Sequence, residues 1–77
     1  MPKLPVLKGK QVLDILISAQ GGFYIHHQRG SHVRLKHKTR ENLRVTIPVH
    51  NKDLPGRTLR RILKQARLSD QEFTGLM

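Results

Sequence analysis

A chain of 77 residues with no cysteine has room for one small domain and excludes both a disulfide framework and a thiolate metal site. Fifteen Lys and Arg against five Asp and Glu leave a formal charge of +10. That one-sided balance points to a polyanion, because each cation brought near a phosphate releases counterions. Nucleic acid, an anionic membrane and an acidic protein are the natural partners. No apolar run approaches the roughly 20 residues of a membrane span. No signal-peptide apolar region follows the N-terminal charges, and no basic amphipathic helix carries Trp or Phe anchors. A cytoplasmic protein with no membrane partner is expected, and the lack of cysteine fits a reducing compartment.

Residues 1–9 read as an extended lead-in, with two prolines and Gly9 marking its end. From Lys10 to Gln20, Val12, Leu13, Ile15, Leu16, Ile17 and Ala19 form a wide apolar stripe at helical spacing, and Gly21-Gly22 stops that helix. Three short strands follow. The first, Phe23 to Arg29, is closed by Gly30. The second runs from Ser31 or His32 to Lys38 and ends in the turn cluster Thr39-Arg40-Glu41-Asn42. The third runs from Leu43 to about Val49. Their short links favour a three-stranded antiparallel meander.

After the turn-rich segment Asn51–Gly56, a second helix is predicted from roughly Arg57 to Arg67. It has Leu59, Ile62, Leu63 and Ala66 inside and Arg57, Arg60, Arg61, Lys64 and Arg67 outside. Ser69 followed by Glu72 is a capping-box signature for a short last helix over Ser69–Met77, docked by Phe73 and Leu76. The fold class is α+β, in the order α-β-β-β-α with a short C-terminal helix, in a single domain over residues 1–77.

Strand parity sorts the sheet into two faces. Phe23, Ile25, Val33, Leu35, Leu43, Val45 and Ile47 fall on an apolar face that takes the helices. Tyr24, His26, Gln28, His32, Arg34, Lys36 and Arg44 fall on the opposite, basic face, which helices on one side leave open. His27 and His37 fall on the inner side or at an edge, and His50 closes the third strand.

Gly30-Ser31-His32 is a tight turn that delivers a histidine onto the start of a strand on the basic face. Cleavage of RNA by its own 2′-hydroxyl needs a base, an acid at the 5′-oxygen and positive charge at the phosphorane. Histidine, with an ordinary pKa near ~6.5, can take or give the proton. Arg34, Lys36 and Arg44 stand ready to hold the phosphate. Tyr24 is placed either to stack a base or to cover the sheet edge. One histidine does not obviously supply both acid and base; His26, His50, a water or a basic residue are the candidate partners. The five carboxylates lie on different elements, so neither a two-metal site nor a zinc set is expected.

Several segments together resemble the HicA-type toxins of toxin–antitoxin systems. They are the KLPVLKGKQVLDIL start, Gly22-Phe23 followed by Gln28-Arg29-Gly30-Ser31-His32, Val45-Thr46-Ile47-Pro48-Val49-His50, Lys52-Asp53-Leu54, and Thr58-Leu59-Arg60 with Ile62-Leu63-Lys64-Gln65-Ala66 and Leu68-Ser69. The resemblance implies a double-stranded-RNA-binding-domain-like fold, a ribonuclease that cuts mRNA without a cofactor, and neutralisation by a HicB-like antitoxin. It implies that His32 is the catalytic histidine, with Gly30 and Ser31 placing it. The chain departs from the family pattern at Arg57, which interrupts Pro55-Gly56 and Thr58-Leu59, and at Arg67, where a glycine is usual. A non-glycine residue in a left-handed cap there costs about 1 kcal/mol. Two rivals remain: a non-catalytic RNA-binding module using the same basic face, and a DNA-binding or antitoxin-like regulator.

Overall fold

The structure is a computed structural model that describes residues 4–77; the part of the lead-in at residues 1–3 lies outside the described residues. In chain order the elements are α1 (Gly9–Ile17), β1 (Phe23–Arg29), β2 (His32–His37), β3 (Arg44–Pro48), α2 (Gly56–Ala66) and α3 (Asp70–Gly75). The strands form one antiparallel sheet in the order β1-β2-β3. The α+β class and the meander are as expected from the sequence. Among the described residues no helix is long and apolar enough to cross a membrane.

The core is the layer between the sheet and its helices. Val33, Leu35, Val45 and Ile47 point into it from β2 and β3. Val12 and Leu16 of α1, Leu59, Ile62 and Leu63 of α2, and Phe73 of α3 meet them there. The alternation of β2 and β3 is therefore kept: Val33, Leu35, Val45 and Ile47 inward, and His32, Arg34, Lys36, Arg44, Thr46 and Pro48 outward. α2 packs against β3, and α1 against β1 and β3.

Two glycines serve this packing in different ways. Gly9 opens α1 and lies against the end of β3, where an added β-carbon would run into the Pro48 carbonyl. The helix start sits that close only because the residue has no side chain. Gly30 has φ +58 and stands first in the two-residue loop Gly30-Ser31, which makes Arg29 the partner of His32.

α1 differs from expectation at both ends. It starts at Gly9, inside the predicted lead-in, with the Lys8 N–H donating to Gln11 Oε1 at 2.8 Å. It stops at Ile17, short of Gln20, because Ser18 turns extended and uses its hydroxyl locally. Ser18 Oγ donates to the Ile15 carbonyl at 2.6 Å and accepts from the Gly21 N–H at 3.2 Å. Ala19, assigned to the buried stripe, is exposed as a result.

β1 departs more deeply. Ile25, expected inside, is 47% exposed. It does sit opposite Leu35, on the apolar side. But β1 is an edge strand, and α2 packs over β3 at the far side of the sheet. Just beyond Ile25 the register slips: Ile25 pairs with Leu35, yet His27 pairs with Arg34. His26 is the extra residue of a β-bulge, and parity reverses after it. Gln28, expected on the basic face, therefore sits opposite Val33, and His27, expected inward or at the edge, sits opposite Arg34.

Two positions on the outer edge of β3 are blocked. The Thr46 N–H, which has no neighbouring strand, donates to Gln65 Oε1 of α2 at 3.1 Å, and Pro48 has no N–H to offer. α2 then ends in a Schellman arrangement: the Leu68 N–H reaches the Leu63 carbonyl at 3.0 Å and the Arg67 N–H reaches the Lys64 carbonyl at 3.2 Å. Arg67 occupies the left-handed position, φ 56 and ψ 41. Arg60 grips both carboxylate oxygens of Asp70, at 3.1 and 3.0 Å, and ties α2 to α3. The Ser69–Glu72 capping box forms as expected, with bonds of 3.0 and 2.9 Å.

Two substitutions that exchange glycine and a side chain should move stability in opposite directions. Arg67→Gly relieves the left-handed strain and raises stability by about 0.5–1 kcal/mol. Gly9→Ala forces helix and strand apart and lowers it by about 1–3 kcal/mol. Thermal unfolding reads both, since 1 kcal/mol moves Tm by roughly 4–8 °C in a domain this small. Equal melting of Arg67→Gly and the parent protein would show that the cap stores no strain.

Candidate functional site

The sheet face away from the helices carries the candidate residues in three rows, since residues directly opposite one another share a face. Arg29, His32 and Pro48 form the first row. His27, Arg34 and Thr46 form the second, and Tyr24, Lys36 and Arg44 the third. Rows on one face of a sheet are spaced by about 7 Å, two residues of strand rise. The face is a shallow lattice of cations and imidazoles with a single aromatic ring at one end.

The lattice is grooved. One cleft, at the β1–β2 turn, is lined by His27, Arg29, Gly30, Ser31, His32 and Arg34. A second is lined by His26, Arg34, Lys36, Arg44 and Thr46, with the backbone of Leu35 and Val45 beneath. Arg34 borders both. A third hollow, at the far end, lies among Tyr24, Lys36, Lys38, Glu41 and Arg44, and of these three hollows it is the one lined by a carboxylate.

Local structure fixes each group. The Gly30-Ser31 loop brings His32 onto the first residue of β2, exposed. Ser31 is held through its backbone: its carbonyl accepts the Val49 N–H at 2.6 Å, which ties the turn to the end of β3. Arg34 and Arg44 project from the outward positions of β2 and β3, and Lys36 is half-buried between them. Tyr24 is 41% exposed and stands across from Lys36.

The remaining histidines separate by surroundings. His37 packs edge-on against Phe23, with ring centroids 4.9 Å apart and planes at 89°. Its Nδ1 accepts the backbone N–H groups of Thr39 and Arg40 at 3.2 and 3.1 Å, so this ring closes the β2–β3 turn. His50 lies exposed beyond the end of β3, past Pro48, and lines neither cleft. His26, bulged out of the ladder, sits among cations. Its imidazole is held below the ordinary value of 6.5, first by the Lys36 ammonium, then by some loss of hydration, and by His27, Arg44 and Arg34.

Parity counted from Phe23 missed His27 and Arg29, which share the turn cleft with His32. The signal that finds them is the turn itself. Counting back from a two-residue loop puts Arg29 across from His32 and His27 across from Arg34. Among the described residues no three His, Asp or Glu side chains come together as a metal-binding group.

The arrangement defines a class: a small α+β domain with an uncovered, cationic sheet face that bears histidines beside a tight turn. The chain belongs to the HicA toxin family of bacterial toxin–antitoxin systems, whose family profile matches residues 9–68 of the 77. The match runs from the first residue of α1 to Leu68, just past α2, and takes in the whole sheet. No curated protein sequence matches the chain at a significant level. As a member of a toxin–antitoxin family, the chain has an antitoxin as its counterpart.

Since the fold disfavours protonated His26, its contribution to stability is present above the unfolded value of about 6.5 and is lost as pH falls through the lower folded value. Proton-detected titration of the ring should give a midpoint below 6.5, and Lys36→Gln should move that midpoint upward. A midpoint indifferent to Lys36 would remove the ammonium as the cause.

Proposed function

We propose that this chain is a metal-independent endoribonuclease that cuts mRNA in the cytoplasm, the toxin half of a pair whose HicB-like antitoxin neutralises it. The observation that carries the reading is the position of His32: at a glycine turn, exposed, in a cleft it shares with Arg29 and Arg34. Family membership supports the toxin role.

In this reading His32 is the acid/base group that moves a proton during transesterification, and Gly30 and Ser31 place it. Arg34 holds the scissile phosphate and takes up the charge that grows on its oxygens. Lys36 and Arg44 hold the next phosphates along the open face, and Tyr24 offers its ring to a base at the far end. No cofactor takes part. The same cationic face suits an acidic antitoxin, which would neutralise the toxin by covering it. The part of the chain that carries this activity in our reading is the family domain, residues 9–68.

The test is to incubate the protein and its His32→Ala variant with a long single-stranded RNA in the presence of a chelator. Wild-type protein should cut, and the variant should lose about 10²–10⁴-fold in rate while still binding RNA. Replacing Arg34, Lys36 and Arg44 together by Gln should flatten the dependence of log affinity on log salt by roughly 2, at about 0.7 per phosphate contact on single strands. Binding without cleavage by either protein would make the face a non-catalytic RNA-binding surface.

A further inference from the structure

We propose that His27 is the second proton-transfer group of this site, working across one phosphodiester from His32. The proposal rests on the nuclease reading above and names the partner that a single histidine lacks.

The geometry comes from the bulge. Without it, His27 would follow the alternation of Phe23 and Ile25 and stand on the helix side. With His26 looped out of the ladder, His27 pairs with Arg34 and stands on the open face. His32 precedes Arg34 by two residues on β2, so His27 and His32 are diagonal neighbours, with roughly 7–8 Å between them. Both rings line the same cleft. Side chains rising from the sheet at that backbone spacing leave room between them for a phosphoryl group, which each imidazole would approach to hydrogen-bond reach of about 2.6–3.2 Å. Arg34 stands directly across from His27, and Arg29 directly across from His32, so cations flank the same gap.

The other histidines do not meet this geometry. His26 lines the neighbouring cleft beside Lys36 and Arg44. His37 is committed to Phe23 and to the backbone of Thr39 and Arg40. His50 lies past the end of β3.

The step balances with these groups alone. The 2′-oxygen bonds to phosphorus, and its proton passes to the neutral imidazole of the pair. The bond from phosphorus to the 5′-oxygen breaks, and that oxygen takes a proton from the protonated imidazole. The products are a 2′,3′-cyclic phosphate and a free 5′-hydroxyl. The Arg34 guanidinium carries the charge of the non-bridging oxygens throughout. The charged and titratable groups around His27 are Arg34 and His32 from β2 and Arg29 from its own strand, with His26 next to it in the chain and close enough to interact electrostatically.

Two variants test this: His27→Ala and His27→Gln, both at an exposed position. The measurement is kcat/KM on a long RNA across about pH 5–9, with RNA affinity, end-group analysis and thermal unfolding alongside. Wild type should give a bell-shaped profile, as an acid and a base acting together do. Each His27 variant should lose about 10²–10⁴-fold and one limb of the bell, with affinity and melting unchanged. Full activity with both limbs would overturn the assignment and leave His32 and the nuclease reading intact. A lower rate with both limbs retained would also overturn it, reducing His27 to a binding residue. Wild-type protein that binds RNA without cutting it would sink the nuclease reading and this proposal together.

Discussion

The two-residue loop Gly30-Ser31 is the constraint on which the open face depends. It makes Arg29 the partner of His32, and through the Ser31 carbonyl it anchors the end of β3. At the other end of the hairpin a different demand rules: Phe23 must be buried under α1, opposite His37. The two demands are out of step by one residue. The bulge at His26 absorbs the mismatch, and as a result the last part of β1 presents His27 and Arg29 to the same side as His32 and Arg34. The residue-level geometry of the site is thus the outcome of a disagreement between a turn and a core.

The sheet divides its labour cleanly. One face supplies the apolar contacts and contains no buried charged or polar residue among those described. The other gathers cations in clefts that, among the described residues, are lined by no carboxylate except Glu41 at one end. This repulsion is felt in the lowered proton affinity of His26. A polyanion laid on the face would remove it, so the surface is poised for a ligand of opposite charge.

Much of this was legible in the sequence because its carriers are local. The alternation of Val33, Leu35, Val45 and Ile47, the Gly30 turn, the Ser69–Glu72 box and the unfavourable cap at Arg67 each need only neighbouring residues to be read. What escaped depends on packing over distance. Ile25 has the parity of a core residue, but whether a helix covers the edge strand is decided by where α2 lies. The run His26-His27-Gln28-Arg29 has no apolar member to reveal its phase, so parity counted from Phe23 passed silently through the bulge. Ser18 ended α1 before the glycines because its hydroxyl competed for the backbone, an effect that apolar periodicity does not register.

The separation of the two faces has an evolutionary consequence. Most substitutions that damage a small domain act through its interior, and surface changes usually move stability by little. Here every residue given a chemical role is on the uncovered side, while folding draws on the other. Selection can therefore rewrite, sharpen or erase the reactivity of this chain without taking it below its folding threshold. A lineage that silenced His27 and His32 would keep a folded protein of the same shape, still recognisable to whatever binds its framework.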